Sequence, residues 1–149
     1  MRVKTYFFIW MLFFVCTSTT TLKAQSMNEW TILLLDVAGR TKVDGVEVFS
    51  KYSKCQGEDV LYLKIYNHNE HRVTVKWYDA VRNQQLVWVI KEEPSNHKSI
   101  LIEPNLEITG DCISGKYSEC IVKLKDFMDN VNNYKEYGIY HFEVNAVMK

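Results

Sequence analysis

Apolar and polar residues alternate most regularly over Asp59–Asp79, DVLYLKIY-NHNEH-RVTVKWYD. Leu61, Leu63 and Ile65 fall on one side of the first run, and Val73, Val75 and Trp77 on one side of the second. Tyr62, Lys64 and Tyr66, then Thr74, Lys76 and Tyr78, take the opposite side. A period of two marks strands with one face on a core and the other toward water. The short polar connection, rich in Asn and His, predicts that the two runs form a β-hairpin.

The remaining pattern is also one of short strands. Trp30–Asp36 (WTILLLD) reads as a strand buried on both faces, and Val46–Tyr52 as an alternating one. Leu86–Ile90, rich in β-branched and aromatic residues, is a further strand. Lys91–Lys98 has loop composition, and Pro104 separates the short runs Ser99–Ile102 and Leu106–Ile108 because it cannot donate to a ladder. Cys120–Lys125 alternates, Asp126–Tyr137 reads as a loop or short helix, and Ile139–Met148 closes as the longest strand. Tyr140, Phe142, Val144, Ala146 and Met148 share one face of that last strand. About seven or eight antiparallel strands and no convincing helix predict an all-β sandwich.

Hydrophobic content of 47% overstates this core, because part of it sits at the N-terminus. Arg2 and Lys4 precede the apolar run Tyr6–Cys16, which a Ser/Thr-rich stretch and Leu22-Lys23-Ala24 follow. That order is a secretory signal peptide over residues 1–24, cleaved after Ala24, with a single β-sandwich domain over residues 25–149. The apolar run falls short of the ~18 residues that span a bilayer, so no membrane span is expected after signal removal. Lipid anchoring at Cys16 is not expected, since Val15 stands where lipoprotein signals carry a small residue. Residues 25–149 hold 15 basic and 18 acidic side chains, a net charge of −3. Such a balance gives no electrostatic support for nucleic-acid binding. The signal peptide implies a periplasmic or secreted protein, in a compartment where cysteines oxidise. Of Cys55, Cys112 and Cys120, two are expected to pair, and chain entropy favours a long closed loop over the short Cys112–Cys120 one.

Val73-Thr74-Val75-Lys76-Trp77-Tyr78 resembles the third core strand of immunoglobulin and fibronectin type III domains, in which a Trp packs between the sheets. The resemblance covers about 90 residues as a pattern of strand types. It implies an Ig-like Greek-key β-sandwich. The inter-sheet disulfide of antibody domains does not transfer, because Cys55 stands too far before Trp77 and no Tyr lies two before Cys120. The implied topology instead brings the turns holding Cys55 and Cys112 to one pole, which makes that pair the expected disulfide. Cys120 shares parity with Val122 and Leu124 and is expected to be a buried, inert thiol.

Chemistry-bearing motifs are sparse. His68, Glu70 and His71 have the spacing of a metal site but lack convincing further ligands, so no metal and no other cofactor is expected. Cys120, His141 and Met148 lie too far apart in sequence for a copper loop. No nucleophile elbow, zinc-protease helix or phosphate loop occurs, no catalytic residue is expected, and Glu92-Glu93 reads as a loop charge pair. Tyr62, Lys64, Tyr66, Lys76 and Tyr78 form the expected ligand face, since exposed aromatics stack on sugars or anchor proteins. Cross-strand pairing is the competing structural role for the same residues. The expected function is a non-catalytic, exported binding or interaction module for an envelope or extracellular protein, with a glycan second. A small secreted inhibitor or immunity factor, with NHNEH or Lys91–Lys98 as its protruding loop, and a small hydrolase are the alternatives.

Overall fold

The structure, a computed structural model, describes residues 29–147. The expected signal segment and Met148 lie outside the described residues. Ten strands follow one another: β1 (Thr31–Ile32), β2 (Lys42–Val43), β3 (Val46–Cys55), β4 (Glu58–Asn67), β5 (Val73–Asn83), β6 (Trp88–Ile90), β7 (Lys98–Ile102), β8 (Glu107–Thr109), β9 (Ile121–Lys123) and β10 (Tyr134–Ala146). They form two antiparallel sheets, as an all-β sandwich requires. In the first, β3 and β4 are central, with β1 and β2 along the free side of β3 and β8 and β9 along that of β4. In the second, β5 lies between β10 and an edge shared by β6 and β7.

The inward positions are those the alternation marks. Leu61, Leu63, Ile65, Val73, Val75 and Trp77 are all buried, and Trp77 packs between the sheets. The likeness to immunoglobulin-type domains extends to this two-sheet architecture and the buried tryptophan, and β3 and β4 are joined as a hairpin. Gln56 (φ 51°) and Gly57 (φ 87°) make the two-residue turn of that hairpin, both in the left-handed region that such turns demand.

The expected hairpin over residues 59–79 does not form. β4 and β5 belong to opposite sheets, and residues 68–72 carry the chain across the sandwich. Alternation specifies which side of a strand is buried, and two such strands bury their apolar sides equally well by facing each other through the core. Asn67 decides the crossing. Its fully buried Nδ2 donates to the carbonyls of His71 and Glu103 (both 3.0 Å), and its Oδ1 accepts the Asn69 N–H (3.0 Å). One side chain thereby joins the outgoing crossing to the return crossing between β7 and β8, supplying partners for backbone groups that a buried loop would otherwise leave unpaired.

Four further expectations change. Residues 30–36 are buried on one face only: Leu33 and Leu35 point inward, while Ile32 and Leu34 are exposed, because β1 is an edge covered from inside alone. The strand expected from Leu86 begins at Trp88, after a turn. Only Ile121–Lys123 of the 120–125 run is extended, between two 3-10 turns. The last strand starts at Tyr134 and contains a bulge between Tyr140 and Glu143, where His141 takes φ 50°. The extra residue reverses the side-chain parity. Ile139 therefore packs on the core before the bulge and Phe142 and Val144 after it, while Tyr140 faces outward opposite Tyr78.

Among the described residues no sheet edge offers a long regular template. Three are divided into two short strands each, and β10 carries irregularities after Tyr134 and after Tyr140. Short strands and bulges are the usual means of blocking edge-to-edge association.

Candidate functional site

The five residues of the expected ligand face do not share a face. Tyr62, Lys64 and Tyr66 point outward from the first sheet, and Lys76 and Tyr78 outward from the second, so the sandwich stands between them. The cause is the crossing at Asn67: a hairpin would have aligned the two sets, and a crossing sends them to opposite surfaces.

On the first sheet the outward side chains are engaged with one another. Lys64 Nζ lies 4.8 Å from the Phe49 ring centroid and 5.1 Å from that of Trp30, and 3.5 Å from a Glu107 oxygen. The Tyr66 and His68 rings meet edge-on at 3.9 Å, and His68 Nε2 donates to Glu47 Oε2 at 2.5 Å. That hydrogen bond, reinforced by Lys42, holds the Glu47 carboxyl below its ordinary range. These are cross-strand pairs of the kind that stabilise a sheet. His68 is thus committed to Glu47, while His71 lies exposed; among the described residues no three metal-binding side chains converge.

The second sheet presents a different surface. Tyr78 stands in register with Tyr140, stacks on His97 (4.6 Å, 23°) and meets His141 edge-on at 6.4 Å. Tyr140 and His141 are themselves 4.2 Å apart. Further along, the Trp88 indole lies directly on Gly138, where a Cβ would come within 2.8 Å of the ring. Arg82 flanks that indole at 5.6 Å and is held by Glu136 at 2.7 Å. The result is a row of partly exposed aromatic rings running across β6, β5 and β10, bordered by ion-paired residues.

A cleft of about 520 Å³ opens between the β7 and β9 edges, with Asp79 and Lys98 at its base. Both point inward from the second sheet. Asp79 Oδ1 accepts from Trp77 Nε1 (3.0 Å) and from the Tyr137 hydroxyl (2.7 Å), and Oδ2 accepts from Lys98 Nζ (2.7 Å). The same ammonium donates to the Glu119 carbonyl at 2.7 Å, beside β9. Every strong donor and acceptor at the base is therefore spent on another, and the group works as a strut between the sheets. Burial pushes the Cys120 thiol up to about 12 and raises the Tyr137 phenol well above its ordinary value, so neither supplies a nucleophile at neutral pH. Beyond Ser118, Ile121 and Lys123 of the cleft wall, Cys55 and Cys112 are disulfide-bonded with Cα atoms 5.8 Å apart, tying the β3–β4 turn to the loop after β8.

No family model and no curated protein matches the chain. Among solved structures it is similar to the crystal structure of a DUF1425 family member from Shewanella sp. pv-4, with 12% identity over 80% of this chain and 98% of that one and a TM-score of 0.46.

Four members of the aromatic row are not among the expected site residues. Trp88 reads as one more strand residue, and His97 as the end of a loop. The bulge hides Tyr140 by reversing its parity, and His141, read alone, suggests a ligand. Their common surface depends on the β5–β10 register, which no local pattern encodes.

Proposed function

We propose that the protein is an exported, non-catalytic binding module, and that it contacts an envelope or extracellular protein through the outer face of its second sheet. The observation that carries this reading is the aromatic row of Trp88, Tyr78 and Tyr140 with His97 and His141, in which the indole and both imidazoles are exposed and the two phenols half-buried. Tyr and Trp are the side chains most enriched where proteins bind one another, and the ion-paired Arg82 and Glu136 give that row a polar rim. A glycan is the second reading within the class, because the Tyr78–His97 stack ends in rings on which a sugar can lie.

The non-catalytic part of the proposal is supported by the state of the buried groups. Asp79, the one buried carboxylate among the described residues, already receives three donors, one of them the Lys98 ammonium that balances its charge. Export is supported by the signal-like residues 1–24 and by the Cys55–Cys112 bond, which persists in oxidising compartments. The test is affinity capture with the mature protein from an envelope extract, in parallel with a Tyr78→Ala, Tyr140→Ala variant. The proposal expects a specific protein that the variant fails to retain at an unchanged melting temperature. Turnover of a hydrolase substrate panel with no specific capture would overturn it.

A further inference from the structure

The edge of the first sheet at β9 leaves backbone groups that no strand takes up. Along β4 the odd-numbered residues point their N–H and carbonyl toward β8 and β9: Asn67 donates to the Leu106 carbonyl (3.0 Å), and the Leu63 carbonyl accepts from Gly110 (3.4 Å). Leu61 therefore bonds Val122, its partner in register, and the alternation of an antiparallel ladder turns Ile121 and Lys123 the other way. Lys98 agrees with this, since its ammonium meets the Ile121 carbonyl from the cleft side, at 3.5 Å. That contact is longer than an ordinary hydrogen bond. The Ile121 N–H closes the preceding 3-10 turn on the Ser118 carbonyl, and the Lys123 N–H meets no side-chain or loop acceptor among the described residues.

One weakly held acceptor and one free donor thus face the cleft two residues apart, about 7 Å along the strand. An extended chain takes up such a pair with peptide groups of its own, as when a segment adds to a sheet edge. The charges lining the cleft favour neither a polyanion nor a polycation: besides the paired Asp79 and Lys98 it has Lys91 and Lys123 against Glu119 and Asp126. Its volume of about 520 Å³ is that of a cleft that encloses a ligand. His97 lines it and also stacks on Tyr78, so the cleft continues the aromatic row past the start of β7.

We infer that an extended segment of the protein partner enters this cleft and adds to β9 as a further strand, its carbonyl accepting the Lys123 N–H and its N–H reaching the Ile121 carbonyl. Lys98 keeps Asp79 and the Glu119 carbonyl, both at 2.7 Å, so the strut stays in place. With three residues β9 is too short to hold a strand alone, and the aromatic row supplies the remaining contact. This rests on the proposed protein-binding reading and specifies the form the partner takes there, a strand-like segment with its backbone unpaired.

Photo-crosslinking of the full chain in its native envelope tests it, with the crosslinking residue placed at Ser118 on the cleft wall, at Lys76 on the face, or at the fully exposed Val37 as control. A protein adduct is expected at positions 118 and 76 and not at 37. Lys123→Pro should reduce the adduct at 118 about tenfold, the loss of one strand hydrogen bond, while Lys123→Ala leaves it unchanged. Proline suits the position, because Lys123 has φ −83° and its N–H serves no ladder bond; the two variants should therefore melt together. In the free chain the Lys123 amide should exchange rapidly and the Val122 amide slowly. An adduct at 76 without one at 118 overturns the added strand and leaves the binding face standing; no adduct at either position overturns both. An adduct at 118 that the two variants affect equally, or that holds a glycan, a lipid or a second copy, also overturns the strand. So does a protected Lys123 amide in the free chain, or a proline variant that melts well below the alanine one.

Discussion

Lys98 Nζ lies 2.7 Å from Asp79 Oδ2, and both side chains point into the sandwich from neighbouring strands of one sheet. Because the same ammonium reaches the Glu119 carbonyl across the core, the pair closes the β7–β9 side of the fold. Asp79→Asn would keep acceptors for Trp77 and Tyr137 and leave the ammonium without its counter-charge. Breaking such a pair from one side costs about 3 kcal/mol. Urea denaturation should show that loss, and adding Lys98→Met should restore at least ~1 kcal/mol, because it removes the stranded charge. Strict additivity of the two changes would mean that the strut does not exist.

The Cys55–Cys112 bond closes 57 residues of chain and should stabilise the fold by about 4 kcal/mol, largely by restricting the unfolded state. Replacing both cysteines with serine is expected to lower the denaturation midpoint accordingly, with the folded spectrum retained under native conditions. Replacing Cys120 with serine should act differently. Cys120 is fully buried, so the cost comes from placing a hydroxyl in an apolar site and should be independent of reducing agent.

Acid should loosen the crossing loop. The hydrogen bond from His68 lowers the Glu47 pKa below its ordinary 4.5. A carboxyl with a depressed folded-state pKa contributes stability that is fully present above the unfolded value and is lost as pH falls through the folded value. Protection of the His68 and Asn69 amides in hydrogen exchange is therefore expected to hold at pH 6 and fall below about pH 4.3. Glu47→Gln should remove that acid limb; an unchanged limb in the variant would assign it to another carboxylate.

Much of the core is legible in the sequence. Leu61, Leu63, Ile65, Val73, Val75 and Trp77 are inward both in the alternation and in the fold, since period two is a local property of a strand. Partnership between strands is not local. Nothing in NHNEH distinguishes a hairpin tip from a crossing; the difference lies in Asn67 meeting carbonyls 35 and 36 residues away. His141 shows the same limit in another form, because one inserted residue moves Tyr140 from the core to the surface. Lys98 reads as the polar end of a loop, and only its register opposite Trp77 turns it inward. The aromatic row on the second sheet is illegible for all three reasons at once.

Gly138 provides the sharpest test of that row. Its missing Cβ lets the Trp88 ring lie on the strand, since a methyl group there would sit 2.8 Å from the indole. The residue has no positive φ, so alanine is acceptable to the backbone and acts through the contact alone. Gly138→Ala should push the indole outward, increasing Trp88 exposure and red-shifting its fluorescence, at a cost of about 1 kcal/mol. Because Gly138 faces Ala80 in the β5–β10 ladder, the strand itself has no reason to move, and Tyr78 and Tyr140 should stay in register. A binding partner that uses Trp88 should then lose affinity while one that uses only the tyrosines does not. If Gly138→Ala leaves both the fluorescence and the binding unchanged, Trp88 is not seated on this strand and the row ends at Tyr78.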